Sequence, residues 1–290
     1  MCIRDRNDSD DIDQSSAPLI EHLAELRNRL IKSVVAFAIC MILSFTIATP
    51  IFNFLANPIV NILKSNGQAP DLIFTGLQQG FMVNIRISLF GGFILSFPYI
   101  SLQMWKFVSP VLYKDEKRAF LPFLIASPVL FLLGASFSFY IVMPLAFDFF
   151  LGFQQNNEDF SDLVGITYLG TINEYLGLTM KFIIAFGLCF QLPVLLTLMG
   201  KAGLISSEAL AKSRKYAVVG ILVLAAIVTP PDVITQIILF TVVYALYEIS
   251  VILVKWVEKK KKENLDNCLL YTSDAADEGL GVDLGGRRII

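Results

Sequence analysis

Charge is scarce in this chain. Only 17% of its 290 residues are Asp, Glu, Lys or Arg, where an average soluble domain carries about 25%. Histidine is almost missing, with His22 the single example. HExxH, GxSxG and P-loop motifs are absent, which removes the zinc-peptidase, serine-hydrolase and nucleotide-phosphate chemistries that depend on them. His22 lies ahead of the first apolar block, so a Ser/His site inside a membrane cannot be assembled. Asp148 and Asp232 fall at the margins of apolar blocks, which disfavours a paired-aspartate protease. The four cysteines, Cys2, Cys40, Cys189 and Cys268, show no CxxC or Cys/His spacing and read as free thiols. No catalytic residue, metal site or cofactor is expected, and the chain does not read as an enzyme.

What is plentiful is hydrophobic sequence, 55% of the chain, and it is gathered into long blocks. A spanning helix needs about 20 largely apolar residues. Six candidates occur, at about Ser33 to Thr49, Phe81 to Trp105, Ala119 to Ala146, Tyr175 to Gly200, Tyr216 to Thr229 and Val233 to Val254. The first lacks an A-x-A-like cleavage end and reads as a span rather than a removable leader. The expected fold is an all-α membrane protein of six transmembrane helices.

The few cations are placed on alternate loops. Arg27, Arg29 and Lys32 precede the first span. Lys106, Lys114, Lys117 and Arg118 follow the second, and Lys201, Lys212, Arg214 and Lys215 follow the fourth. Lys255 and Lys259 to Lys262 end the sixth. Residues 50–80 hold only Lys64, and 147–174 and 230–232 hold no Lys or Arg. By the positive-inside rule both termini are cytoplasmic. Arg86 and Lys181 seem misplaced, but each lies 20 residues before a loop cation, Lys106 and Lys201. That is about 30 Å of helix, the hydrocarbon thickness, so both can reach the far interface.

Pro98, Pro122, Pro128, Pro144 and Pro193 interrupt the spans and predict kinks. Gly91, Gly92, Gly134 and Gly187 predict close helix packing or further bending. Together they predict a kinked, concave bundle. No internal repeat supports an inverted-repeat transporter. "TPPD", Thr229 to Asp232, joins the last two spans, and the charge-free run Tyr216 to Pro231 has 16 residues. At about 24 Å it is short of the hydrocarbon thickness, so this hairpin should sit low or thin the bilayer.

Three regions follow. Residues 1–17, rich in Asp, read as a disordered tail. Residues 18–258 form the six-helix membrane domain, and 259–290 a cytoplasmic tail. "MCIRDR" and the stretch from Cys268 onward break the pattern of the core and are expected to be non-native ends.

Candidate functional residues are polar groups in or beside the membrane. In "EHLAELRNRL", Glu21, Glu25 and Arg29 follow i, i+4 spacing, with Glu N-terminal to Arg. The plain reading is a solvated surface pair. Glu116, in the mixed-charge loop "YKDEKR", shares the cation-rich face with Glu25, and carboxylates kept there can receive a cationic guest. Gln191 and Glu248 lie roughly 10–14 Å inside the membrane from that face. They could meet or line one cavity, as a functional pair, or each could make a helix–helix hydrogen bond.

Several ordered motifs resemble one family: "HLAELRNRL", "NP" at Asn57–Pro58, "FPYISLQMWKFVSPVLYKDEKR", "MPLAF", "AFGLCFQLPV" and "TPPDVITQ". Over residues 18–257 the chain is similar to TatC, the multispan subunit of the twin-arginine protein translocase. The resemblance implies a six-helix bundle shaped like a cupped hand in the bacterial cytoplasmic membrane. It implies recognition of the twin-arginine signal peptides of folded cargo on the cytoplasmic side, with export driven by the protonmotive force. Single-span TatA- and TatB-type subunits are the implied partners, with self-association in a larger complex and no nucleic acid. By motif position Glu25 and Glu116 correspond to carboxylates that receive the arginines, with Arg27 and Phe107 in the same peptide-binding region. Pro58, Pro231, Asp232 and Gln236 correspond to positions of assembly or structure. Gln191 departs from the family, which often has Glu there. A neutral amide cannot titrate, so the resemblance carries no proton exchange at this position. A polytopic solute transporter or channel using Gln191 and Glu248 is the alternative. It requires internal symmetry or a continuous polar line, and the sequence has neither.

Overall fold

In a bilayer every backbone N–H and C=O has to be satisfied internally, and the chain meets this demand with helices. The computed structural model describes the backbone of residues 8–65, 67, 69, 71–112, 117–153, 170–229 and 232–279. Side chains are described from Leu23 on, apart from those at 108–122, 261–262, 264 onward and in the backbone gaps. The helices are α1 (Asp8–Thr46), α2 (Ala48–Ser65), α3 (Gln79–Leu112), α4 (Lys117–Phe137), α5 (Met143–Leu151), α6 (Ile172–Cys189), α7 (Leu192–Lys201), α8 (Ser207–Lys212), α9 (Arg214–Val228) and α10 (Val233–Gly279), with a π-helical turn, Ser138–Val142, between α4 and α5.

Among the described residues five stretches are long and apolar enough to cross a membrane: Leu23–Thr46, Gln79–Phe107, Phe123–Leu151, Ile172–Lys201 and Val233–Lys260. They coincide with five of the six expected spans. The remaining one is α9, only 15 residues long, or about 22 Å. Its shortness agrees with the charge-free run read from the sequence.

Proline chemistry explains the interruptions. Pro193 sits in the first turn of α7, where its missing N–H leaves the ladder broken between α6 and α7. Pro144 sits at the start of α5, just after the π turn. There the Met143 N–H bonds Ser138 O, a five-residue reach that widens the helix ahead of the proline ring.

Packing runs through seams of small residues. The closest element pairs are α1 with α3, α7 with α10, and α4 with α6. A Cβ added at Gly92 would stand 2.7 Å from Met41 Cα, and one at Gly187 would stand 2.6 Å from the Phe131 ring. One at Gly200 would stand 2.6 Å from Val254. Each main seam therefore has a glycine at its contact: Gly92 lets two backbones approach, while Gly187 and Gly200 make room for the Phe131 and Val254 side chains. One buried cluster, with Leu55, Ile59, Ile87, Met143 and Phe182, joins α2, α3, α5 and α6. A second, with Phe186, Ala225, Leu239, Val243 and Val254, joins the later helices. By contrast α1 is almost unburied, at 6% of its most apolar window.

The second helix differs from the sequence expectation. Residues 50–80, read as a loop, contain most of α2. Its buried residues Leu55, Ala56, Ile59 and Leu63 fall at helical spacing, a pattern that the loop reading passed over. Tyr175 Oη donates to Leu55 O at 2.5 Å and ties α6 to this helix. The backbone is helical from Asp8. Asp8, Asp10 and Asp11 lie at its N-terminus, where acidic groups favour the helix dipole. The last helix continues to Gly279, well past its apolar part.

Candidate functional site

The cation-rich end of the bundle is built on α1 and α3. Arg29 donates from Nε (3.0 Å) and Nη2 (2.5 Å) to Glu25 Oε1. Its Nη1 donates to Gln103 Oε1 at 3.3 Å. The i, i+4 pair expected on α1 is thus present, and Arg29 also staples α1 to α3. Glu25 Oε2 takes no hydrogen bond among the described residues. The carboxylate side chain is 38% exposed, so it keeps a lone-pair face open to a guest donor. Arg27 is exposed and points to no acceptor among the described residues, whereas Phe107 is half-buried. Glu116 and Pro231 lie outside the described residues, as does the side chain of His22.

Gln191 occupies the break between α6 and α7. Its Nε2 donates to Ser127 O (2.9 Å), and the Ser127 hydroxyl donates back to Gln191 Oε1 (2.6 Å). That uses the single Ser127 proton, so the 2.6 Å Ser101–Ser127 contact has Ser101 as donor. Ser101 and Ser127 are buried. The result is a polar relay from α3 through α4 to the kink, and an amide suits it because it both gives and accepts.

Glu248 belongs to a different cluster. It accepts from Arg214 Nη2 (2.8 Å) across to α9 and from Tyr244 Oη (2.9 Å) on its own helix. Gln191 and Glu248 therefore do not meet: each makes the interhelical hydrogen bonds of the plainer expectation. Among the described residues they form no continuous polar line of the kind a solute pathway would need. Arg214, counted in the sequence as a loop cation, is the partner that reading missed. Only its position near the start of α9 hinted at it.

The remaining motif residues have local roles. Asp232 caps α10, accepting from the Thr235 N–H (2.7 Å) and hydroxyl (2.6 Å), a standard N-cap arrangement. Gln236 is half-buried one turn further on, and Pro58 is half-buried within α2. At the cation-rich end Glu258 accepts from the Ser207 N–H (2.9 Å) and hydroxyl, fixing α8 against α10. No local spacing signals that contact.

Residues 21–241 match the family described as Sec-independent protein translocase protein (TatC). The Sec-independent protein translocase protein TatC of Magnetococcus marinus is 45% identical over 253 residues, covering 87% of this chain and 89% of that protein. The one from Aquifex aeolicus is 43% identical over 85% of this chain and 98% of its own length. The Escherichia coli K12 protein is 35% identical over 82% and 88%. A crystal structure of the twin-arginine translocase receptor TatC superposes with a TM-score of 0.71 at 42% identity. It covers 82% of this chain and 99% of that one.

Proposed function

Since the chain belongs to the TatC family of Sec-independent protein translocases, we propose that it is the signal-peptide receptor and scaffold subunit of a twin-arginine translocase. It is a multi-pass membrane protein. In this reading it lies in the bacterial cytoplasmic membrane with both termini inside, works with single-span TatA- and TatB-type subunits, and exports folded proteins at the expense of the protonmotive force. The observation that supports the receptor role is Glu25, a half-exposed carboxylate at the cation-rich end. One of its oxygens is held by Arg29, and the other takes no hydrogen bond among the described residues.

The physical argument is selectivity. A guanidinium presents a planar fork of N–H donors that a carboxylate edge accepts, while a lysine ammonium is a point charge. Arg29 pre-orients Glu25, so the guest arginine does not have to order it. A second carboxylate, Glu116, completes the pair in this proposal, one for each arginine. Arg27 and Phe107 border the same end, and Pro58, Pro231, Asp232 and Gln236 serve assembly and structure.

The test is Glu25→Gln, which keeps the shape and removes the charge. A partly screened charge-assisted contact contributes about 1–1.5 kcal/mol. Affinity for a twin-arginine peptide should fall roughly fivefold to tenfold, with less effect on a twin-lysine control. Unchanged affinity in the Glu25→Gln, Glu116→Gln double variant would leave these residues a mere surface pair.

A further inference from the structure

Away from the cation-rich end the bundle holds a cavity of about 870 Å³, with Arg86 on α3 and Lys181 on α6 among its lining residues. We propose that this cavity binds one anionic phospholipid, its phosphodiester held by Arg86 and Lys181 and its acyl chains lying on the cavity's aromatic and aliphatic wall.

Depth is the first argument. Arg86 is 20 residues from Lys106 at the other end of α3, which is about 30 Å of helix, and Lys181 lines the same cavity from α6. They stand where the far headgroup layer meets the hydrocarbon. Neither side chain is buried, and neither forms an ion pair among the described residues. Arg86 donates one N–H to Asn173 Oδ1, which orients its guanidinium and leaves the other donors free. Lys181 makes no hydrogen bond among the described residues.

Shape is the second. Inward of the two cations the wall is apolar: Phe37, Phe90, Phe93 and Ile184. The rim includes Ile227, 79% exposed, at the tip of the 15-residue α9. Because α9 stops short, the longer helices beside it are left uncovered on this side. The void is thus a gap in a membrane-facing surface, and acyl chains are what surrounds it.

Charge is the third. Glu174 shares the lining and lies two turns from Lys181 on the same face of α6. Two cations against one carboxylate leave the site at +1, which a single phosphodiester monoanion neutralises. A zwitterionic lipid leaves that charge uncompensated, and a partner helix with no acidic group at this depth does the same.

The test uses the full chain reconstituted with equimolar dioleoyl phosphatidylglycerol and dioleoyl phosphatidylethanolamine. The protein is then transferred to detergent, and retained lipids are counted by native mass spectrometry. The wild type should keep one phosphatidylglycerol per chain, with at least a fivefold preference over phosphatidylethanolamine. Arg86→Gln with Lys181→Gln should lose that preference, while Arg86→Lys with Lys181→Arg and Lys212→Gln, at the cation-rich end, should keep it. Glu174→Gln supplies an independent arm that leaves both cations in place: removing the carboxylate should raise the preference severalfold. Equal retention of the two lipids by the wild type, retention unchanged in the double Gln variant, or no rise with Glu174→Gln would each overturn the proposal.

Discussion

At Gln191 one side-chain atom decides what the kink can tolerate. The amide nitrogen donates to the Ser127 carbonyl while the amide oxygen accepts from the Ser127 hydroxyl. In Gln191→Glu the ionised carboxylate would set an oxygen against that carbonyl, whereas the protonated form restores a donor. Thermal unfolding in detergent should show the variant less stable than wild type by about 1–3 kcal/mol at pH 8. A variant as stable as wild type would mean that the relay does not hold the kink. No family motif announced this bond. Its serine partner is 64 residues away and reads as an ordinary apolar-run serine, so the polar residue was legible in the sequence and its partner was not.

Among the elements, the glycine seams and the short hairpin were both written in the sequence. Gly91, Gly92, Gly134 and Gly187 sit in apolar blocks, where close packing or bending was expected, and the structure puts a neighbouring helix against each. Gly92→Ala should push α1 from α3, because the new methyl group would meet the Met41 backbone at 2.7 Å. Overpacking of this kind costs about 1–3 kcal/mol, measurable as a lower unfolding midpoint. A midpoint equal to wild type would show that the seam is slack. The α9 hairpin gives the other prediction. With about 22 Å of helix against about 30 Å of hydrocarbon, lipid should thin beside α9. A nanodisc map with bilayer of normal thickness at that position would contradict it. α2 was not legible in the same way. Its loop assignment rested on the near absence of Lys and Arg, a signal of sidedness and not of secondary structure.

For the molecule as a whole, alternating loop charge carries the topology, because cations are held back on one side. In a background with the four cysteines replaced, a cysteine at Asp71 should label from outside intact cells. One at Ser206 should label only after the membrane is opened. Both positions are exposed. Outside labelling at Ser206 would reverse the orientation. Hydrophobic block length was enough to anticipate the five stretches that are long and apolar enough to cross a membrane among the described residues. Contacts between distant elements were not: Arg29 to Gln103 and Glu258 to Ser207 depend on how helices lean together, and no local period encodes that.

The exposed first helix has a consequence for biosynthesis. α1 leaves the ribosome complete at Thr46, but its partner α3 ends only at Leu112. At about 5–20 residues per second, that interval is roughly 3–13 s. A helix designed to be buried on several faces would spend those seconds seeking substitutes. α1 packs one face on α3 and leaves most of its apolar residues exposed even in the finished protein, so it has a single face to cover while it waits. The seam at Gly92 is the contact left to close once α3 has followed.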